Sequence, residues 1–267
     1  MKIIVSHDID HLSVFEHYKD LIIPKLVVRS FFEKAKGFIS GEELKGRIFS
    51  LFSNKLNNLE ELMQFDKDHN VPSTFFVGVE NGLGLSYSLK NAQKWICRIE
   101  ENGFDVGVHG IHFDNFTKIT DEKKRFGEIV KTQHYGIRMH YLRMGEQTGE
   151  YLAKAGYLFD SSEYAFKNPY KVGKMWEFPL HVMDTYLLTE KGLQSFDQDT
   201  IKERTIALFN KAFNMKLKYF TLLFHDFYFS ENYKTWKNWY QWFINWLKSQ
   251  NSEFISFHDA IRELEKT

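Results

Sequence analysis

The stretch that decides the fold is KIIVSHDIDH, residues 2–11. It begins with the apolar run Ile3-Ile4-Val5, which does not alternate with polar residues, a pattern typical of a strand covered on both faces of a parallel sheet. His7, Asp8 and Asp10 follow directly. Catalytic groups in parallel α/β folds lie at the carboxyl ends of strands, where the loops meet on one face. The stretch therefore predicts an α/β fold with a polar site at the end of its first strand.

Short apolar runs of the same kind recur along the chain. The further strand candidates are residues 73–79, 104–109, 136–139, 157–160, 176–180, 219–225 and 253–258. Helical patterns with a period near 3.6 residues lie between them, at 91–101, 120–131 and 200–213. Alternating strands and helices predict a single α/β domain over residues 1–267. About eight strands in a chain of this length favour a barrel over an open sheet.

One region interrupts this alternation. After the first strand, residues 12–70 form an excursion with helical character, and its part from 20 to 53 mixes apolar and basic residues. Two interpretations stay open. The excursion is either a pair of helices packed on the body of the domain, or a lid or interface element beside the first strand's carboxyl end.

Composition excludes several classes of protein. The chain has 35 Lys and Arg against 35 Asp and Glu, which argues against a nucleic-acid partner. No stretch approaches the roughly 18 apolar residues of a membrane span, and residues 1–10 lack a signal peptide's apolar core. These features predict a cytoplasmic protein. The single cysteine, Cys97, excludes an internal disulfide and a paired-cysteine metal site.

Five predicted strand ends carry Asp, His or Arg. They are His7 to His11, His109 to Asp114, Arg138 to Tyr141, Asp160 to Ser162, and His225 with Asp226. Carboxylates and imidazoles without thiolates indicate a divalent metal, zinc first, with cobalt, nickel or iron as alternatives. The spacing of Asp8 and Asp10 lets one carboxylate bind the metal while the other receives a proton. The sequence therefore predicts a metal-dependent hydrolytic site.

These motifs, in this order, resemble those of the polysaccharide deacetylases, the NodB-homology enzymes of carbohydrate esterase family 4. The matching segments are Ser6–Asp10, Gly107–Gly110, Arg138–Tyr141, Phe159–Ser162 and Leu222–His225. Residues 136–143 resemble a surface-polysaccharide subgroup whose first motif reads His-Asp-x-Asp. The resemblance extends from residue 6 to residue 225. It implies a distorted (β/α) barrel of seven to eight strands.

The resemblance also implies roles for the matching residues. Asp8 corresponds to the catalytic base, and Asp10 and His109 to metal ligands. Arg138 corresponds to the arginine that orients the base. His225 corresponds to the histidine that protonates the leaving amine, which amide hydrolysis requires because an unprotonated amine leaves poorly.

The third metal ligand is ambiguous. The family usually has a second histidine four residues after the first, but Phe113 stands there in this chain. His112 and His140 are the two candidates, with His140 favoured because it recurs in the subgroup.

Substrate-binding residues are implied as well. Tyr141 is the aromatic residue of the arginine motif, and Asp160 heads the motif that lines the substrate groove. Asp184 belongs to a stretch resembling the subgroup's E-x-P…MD motif, where it either faces the substrate or is a structural aspartate, with the structural role favoured. His11 is given no role.

The resulting hypothesis is a metal-dependent carbohydrate deacetylase that hydrolyses a linear C–N amide bond. Its substrate would be an acetylated sugar or glycan precursor of surface polysaccharide biosynthesis, with an N-acetyl group preferred over an O-acetyl group. One alternative is an inactive barrel that binds glycans or acts as an assembly subunit, which the absent histidine at Phe113 favours. The other alternative is an amidohydrolase of a non-sugar cyclic amide.

Overall fold

The computed structural model describes residues 1–54 and 56–266. The strands are β1 (Lys2–Ile9), β2 (Thr74–Val77), β3 (Asp105–Gly110), β4 (Ile137–Met139), β5 (Phe159–Asp160), β6 (Tyr170–Val172), β7 (Met175–Glu177), β8 (Val182–Met183), β9 (Thr189–Glu190), β10 (Leu193–Gln194) and β11 (Tyr219–Leu223). The α-helices are α1 (Ile22–Ala35), α2 (Gly41–Ser50), α3 (Leu59–Asp68), α4 (Leu89–Glu101), α5 (Phe116–Gly127), α6 (Thr148–Ala155), α7 (Asp184–Leu188), α8 (Gln198–Asn214), α9 (Lys234–Ser249) and α10 (Phe257–Leu264). Short 3₁₀ turns occupy Val14–His17, Leu51–Ser53, His140–Leu142, Asp226–Tyr228 and Glu231–Tyr233.

The main sheet is built around β1. Its strand order is β6-β7-β5-β4-β3-β2-β1-β11-β8, and its pairs are parallel except for the hairpin of β6 and β7. Every residue of β1 except Lys2 is buried, as expected of a continuously apolar strand covered on both faces. The carboxyl ends of the parallel strands, with their polar residues, therefore gather on one face of the fold.

The sheet curls into a distorted barrel. β7 pairs with β5, whereas β8 pairs with β11 on the other side of the sheet. The chain between them continues this pairing, because Phe178 N donates to Asp160 O at 2.8 Å and His181 N donates to Thr221 O at 3.1 Å. The predicted (β/α) barrel class is confirmed.

The strand predicted at residues 253–258 is wrong. In this segment only Phe254 forms a β-bridge to the sheet, and its partner is Ile3 in β1. The pairing of β1 with β2 begins further along β1, at Ser6. Ser256 Oγ then accepts a hydrogen bond from Asp259 N at 3.0 Å and caps α10, which begins at Phe257. This serine satisfies a first-turn amide and starts a helix where the apolar pattern predicted a strand.

Two helices of the excursion are joined through one buried carboxylate. The carboxylate of Glu33 in α1 accepts hydrogen bonds from Arg29 Nε at 2.7 Å and from Arg47 Nη1, in α2, at 2.5 Å. Ser40 and Glu43 form a reciprocal cap at the start of α2, which satisfies the first amides of that helix. Within the described residues, none of the helices combines the length and apolarity needed to cross a membrane.

Candidate active site

Three side chains from the ends of three different strands converge at the carboxyl face of the sheet. Asp10 follows β1, His109 lies near the end of β3, and His140 follows β4. His109 Nε2 lies 3.2 Å from Asp10 Oδ1, and His140 Nδ1 lies 3.3 Å from the same oxygen. The two nitrogens are 3.0 Å apart. In the described part of the chain, this is the cluster whose donor atoms lie close enough to hold a metal ion.

The second nitrogen of each imidazole determines what the cluster can bind. His109 Nδ1 lies 3.1 Å from Arg138 O, and His140 Nε2 lies 3.3 Å from Leu83 O. A carbonyl oxygen only accepts, so in the neutral imidazoles these two nitrogens carry the protons and the facing nitrogens have lone pairs. Two imidazole lone pairs and a carboxylate thus converge without a proton between them. This donor set fits a divalent cation, with room for further ligands as in catalytic zinc sites.

Electrostatics favour an ionised Asp10. In the cluster without a metal, burial opposes ionisation, but the positive charge of His140 and a hydrogen bond donated by His109 hold the pKa of the Asp10 carboxyl well below its ordinary value. The carboxylate is therefore available as a ligand at neutral pH.

The structure brings His140, and not His112, into the cluster. His140 begins a tight turn in which Tyr141 and Leu142 have φ values of 58° and 52°. Non-glycine residues rarely adopt this left-handed conformation, which concentrates at functional sites. His112 lies on the loop after β3, where burial and then Lys118 lower the pKa of its imidazole.

A buried pair of opposite charges flanks the cluster. Asp8 Oδ1 lies 3.3 Å from Arg138 Nη1, and both side chains are almost completely inaccessible to solvent. Arg138 is held at its other nitrogens by Ser161, whose carbonyl and hydroxyl oxygens each accept at 2.8 Å. Nη1 also donates to Ser6 Oγ at 2.9 Å. Because Arg138 engages one oxygen of Asp8, the other oxygen, Oδ2, stays available to accept a proton.

His225 also lies beside the cluster. Its Nε2 is 3.8 Å from Asp10 Oδ2, and its Nδ1 is 2.8 Å from Asp184 Oδ1. Burial alone would lower the pKa of His225, but Asp184 raises that pKa well above its ordinary value. Asp184 is itself fully buried behind the histidine and is not among the cavity-lining residues, so it orients His225. Of its two expected positions, this is the structural one.

Asp160 also lies away from the cavity. It is fully buried, and its Oδ1 accepts from Ser162 Oγ at 2.5 Å. Burial, followed by the proximity of Asp160, raises the pKa of the neighbouring Glu177 carboxyl well above its ordinary value, and burial also raises the pKa of Asp160. The motif from Asp160 to Ser162 thus lies behind Arg138 and supports it, whereas the sequence placed Asp160 in the substrate groove.

The cluster opens into a cavity of about 870 Å³. Asp8, Asp10 and His225 line it together with Tyr141, whose side chain is 63% exposed and whose ring centroid lies 4.1 Å from that of His140. The cavity lies beside the metal-binding atoms and has the size of small-molecule sites.

His11 is a cavity residue that sequence reasoning missed. It lines the cavity, and its Nδ1 is buried without a hydrogen-bond partner among residues 1–54 and 56–266. Burial lowers the pKa of His11 to about 4, so the imidazole is neutral at pH 7. Its position directly after Asp10 was the available signal.

Comparison with solved structures identifies the architecture. A protein assigned as a polysaccharide deacetylase from Mycobacterium smegmatis is 18% identical, with a TM-score of 0.67 over 98% of this chain and 88% of that one. A second assigned polysaccharide deacetylase, from Pseudomonas aeruginosa PAO1, is 12% identical, with a TM-score of 0.63 over 99% and 90% of the two chains. The fold is that of the NodB-type deacetylases.

The same architecture occurs in an allantoinase, Puue, which is 14% identical and has a TM-score of 0.60 over 100% of this chain and 90% of that one. A scan against protein-family models and a search of curated proteins both found no match. Identities this low establish the shared fold, and function must be argued from the residues of the site.

Proposed function

We propose that this protein is a divalent-metal-dependent deacetylase that hydrolyses the N-acetyl group of a sugar or glycan precursor in surface polysaccharide biosynthesis. One observation carries the proposal: the metal-type cluster of Asp10, His109 and His140 has a carboxylate, Asp8, and an imidazole paired with a carboxylate, His225, both within 4 Å of its members. Amide hydrolysis needs such a base for the attacking water and such an acid for the leaving amine.

Asp10, His109 and His140 would hold the metal, and zinc suits this set of one carboxylate and two imidazoles. A divalent metal bound there supplies Lewis acidity toward the acetyl carbonyl. The proposal assigns the third ligand position to His140, whose Nδ1 faces Asp10 and His109, so His112 is not needed for this ligand set.

Asp8 is the proposed base. Its Oδ1 is engaged by Arg138 at 3.3 Å, which leaves Oδ2 to take the proton of the attacking water. Arg138 acts as a positioning residue, because its hydrogen bonds to Ser161 hold the guanidinium in place behind Asp8.

His225 is the proposed acid. Asp184 Oδ1 accepts a hydrogen bond from His225 Nδ1 at 2.8 Å and stabilises the protonated imidazolium. The other nitrogen, Nε2, then carries the proton that the leaving amine receives. Asp184 therefore acts through His225, and Asp160 acts through Arg138. Tyr141 remains the proposed sugar contact, because its exposed ring lies at the cavity.

Metal analysis combined with acetate release tests this proposal. Purified protein should contain about one divalent ion per chain and release acetate from N-acetyl sugars, and a chelator should abolish both. Asp10→Ala and His109→Ala should lose the metal, whereas Asp8→Asn should keep the metal and lose acetate release. Full metal occupancy in Asp10→Ala and His109→Ala would contradict the ligand assignment. Glycan binding without acetate release by the metal-loaded protein would support the inactive-barrel alternative.

The site's base and acid also suit a second candidate, hydrolysis of a cyclic amide, and an allantoinase has the same architecture. The same acid and base would open a ring instead of releasing acetate. A screen of N-acetyl sugars against cyclic amides separates the two candidates, since only the first substrates yield acetate.

A further inference from the structure

Helix α1 forms one wall of the active-site cavity. The cavity-lining residues of α1 and of Leu21, which precedes it directly, include the cations Lys25 and Arg29 and the apolar Leu21, Val28 and Phe32. These positions are spaced by three or four residues, so they share one face of the helix. That face therefore presents both positive charge and hydrocarbon to a ligand in the cavity.

Arg29 has an unused donor beside the cavity. Its Nε donates to Glu33 at 2.7 Å and its Nη1 donates to Tyr228 Oη at 2.9 Å. Its Nη2 is buried and has no hydrogen-bond partner in the described part of the chain. Glu33 is shared with Arg47, at 2.5 Å. Two guanidinium groups thus share one carboxylate, which leaves a net positive charge next to the cavity.

Lys25 strengthens this charge. It lies one helical turn before Arg29, lines the same cavity, and makes no ion pair among residues 1–54 and 56–266. A buried donor without a partner is costly, and an anion that accepts from Arg29 Nη2 and attracts Lys25 would remove that cost.

Exposure increases from the metal-type cluster to the rim. His109 is 1% exposed, the Arg29 side chain is 19% exposed, and Phe32 is 56% exposed. Leu21 and Val28 are 69% and 52% exposed. From the base of the cavity outwards, a ligand lying along α1 would therefore contact the polar cluster, then the partly buried Arg29, and then the exposed Lys25 and the exposed hydrocarbon at the rim.

We propose that the cavity binds an acetylated sugar carried on a lipid phosphate. The acetamide lies at the cluster, the phosphate at Arg29 and Lys25, and the hydrocarbon chain along Leu21, Val28 and Phe32. This inference rests on the proposed deacetylase function and adds the substrate class. A lipid fits better than a nucleotide because the rim offers exposed aliphatic and phenyl surface, which a hydrocarbon chain covers favourably.

Titration calorimetry with alkyl phosphates tests the subsite. Dodecyl phosphate, below its micellar concentration, should bind about 100-fold more tightly than butyl phosphate, the gain expected if about half of its extra methylenes are buried. Equal affinity for the two, or tighter binding of ADP than of dodecyl phosphate, would overturn the proposal.

Matched variants identify the residues. Lys25→Gln and Arg29→Gln should weaken dodecyl phosphate binding by about 10- to 150-fold, the loss expected for a hydrogen bond to a charged group. Lys34→Gln, on the same helix but outside the cavity lining, is the control. Lys25 is exposed, so its variant reports on binding even if Arg29→Gln folds poorly. No loss in Lys25→Gln would overturn the phosphate position.

Two adjacent phenylalanines provide the apolar control. Phe31 and Phe32 are 55% and 56% exposed, but only Phe32 is among the cavity-lining residues. Phe32→Ser should reduce dodecyl phosphate affinity by about 10-fold, while Phe31→Ser leaves it unchanged. Equal effects of the two substitutions would overturn the path along α1.

The lipid subsite and the deacetylase function can fail separately. Asp8→Asn should lose acetate release but keep its affinity for dodecyl phosphate. Absent acetate release with intact, chain-length-dependent binding would contradict only the deacetylase proposal. Acetate release without chain-length-dependent binding would contradict only the lipid subsite.

Discussion

Asp184 holds His225 by two hydrogen bonds, one from the backbone N to Oδ2 and one between Nδ1 and Oδ1, both at 2.8 Å. The fully buried carboxylate thus fixes both the position and the protonation of the imidazole. The pair couples β8, which Asp184 follows, to the end of β11.

Asp184→Asn should lower deacetylation by about 100-fold, in the range of a general acid's contribution. Because Asp184 raises the pKa of His225, its removal lowers that pKa, and the protonated form disappears at a lower pH. The decline of kcat/KM with rising pH should therefore begin at a lower pH than in the unmodified protein. The exposed Asp199→Asn is the control. An unchanged pH profile would exclude this positioning role.

His140 and His112 should differ sharply in metal-dependent stability. A bound ion raises the free energy of unfolding by about 2.7 kcal/mol at a free concentration 100 times the Kd. Zinc should raise the Tm of the metal-free protein and of His112→Ala, whereas His140→Ala should lose this gain because it lacks one of three ligands. Thermal unfolding with and without zinc measures this, and the reverse ranking would assign the third ligand to His112.

Glu122 should make stability depend on pH. Burial raises the pKa of its carboxyl to about 8, from an unfolded value near 4.5, although Ile111 N donates to it. The folded state therefore binds more protons than the unfolded state between these values. Stability should fall as pH rises from about 4.5 to 8, by at most about 1.4 kcal/mol per pH unit.

Glu122→Gln should remove this part of the pH dependence. The free energy of unfolding of the variant, compared with that of the unmodified protein, should therefore be more favourable at pH 8 than at pH 5. Urea unfolding at several pH values measures the effect, with the exposed Glu128→Gln as control. A slope as steep in Glu122→Gln as in the unmodified protein would contradict the assignment.

Tyr141→Ala should raise the KM for an acetylated sugar by about 10-fold, since loss of an aromatic contact typically costs about 1–3 kcal/mol. Its side chain is 63% exposed, so the Tm should change little. Tyr18→Ala is the control, because Tyr18 is 76% exposed and lies outside the cavity lining. Equal KM changes in the two variants would remove Tyr141 from the substrate contacts.

Much of the architecture follows from local pattern. Continuously apolar runs predict buried parallel strands, and the carboxyl ends of parallel strands meet on one face. For this reason Asp8, Asp10, His109 and His225 could be expected near one another from their positions alone, although up to about 217 residues separate them. The helices at α4 and α8 were predicted by the 3.6-residue period within two residues of their bounds.

The strand predicted at 253–258 shows where pattern fails. Its apolar residues suit a strand or a short helix equally, and the cap formed by Ser256 selects the helix. A side-chain hydrogen bond to one amide therefore decided what hydrophobic periodicity left ambiguous.

By itself, the sequence determined the α/β alternation and the polar residues at the strand ends, because both follow from the order of apolar and polar residues along the chain. Tertiary structure decided which way the side chains point. His140 lies in the cluster directly before a left-handed turn at Tyr141. Asp160 and Asp184 are fully buried, Asp160 behind Arg138 and Asp184 behind His225. These outcomes depend on packing between residues distant in sequence, which no local periodicity encodes.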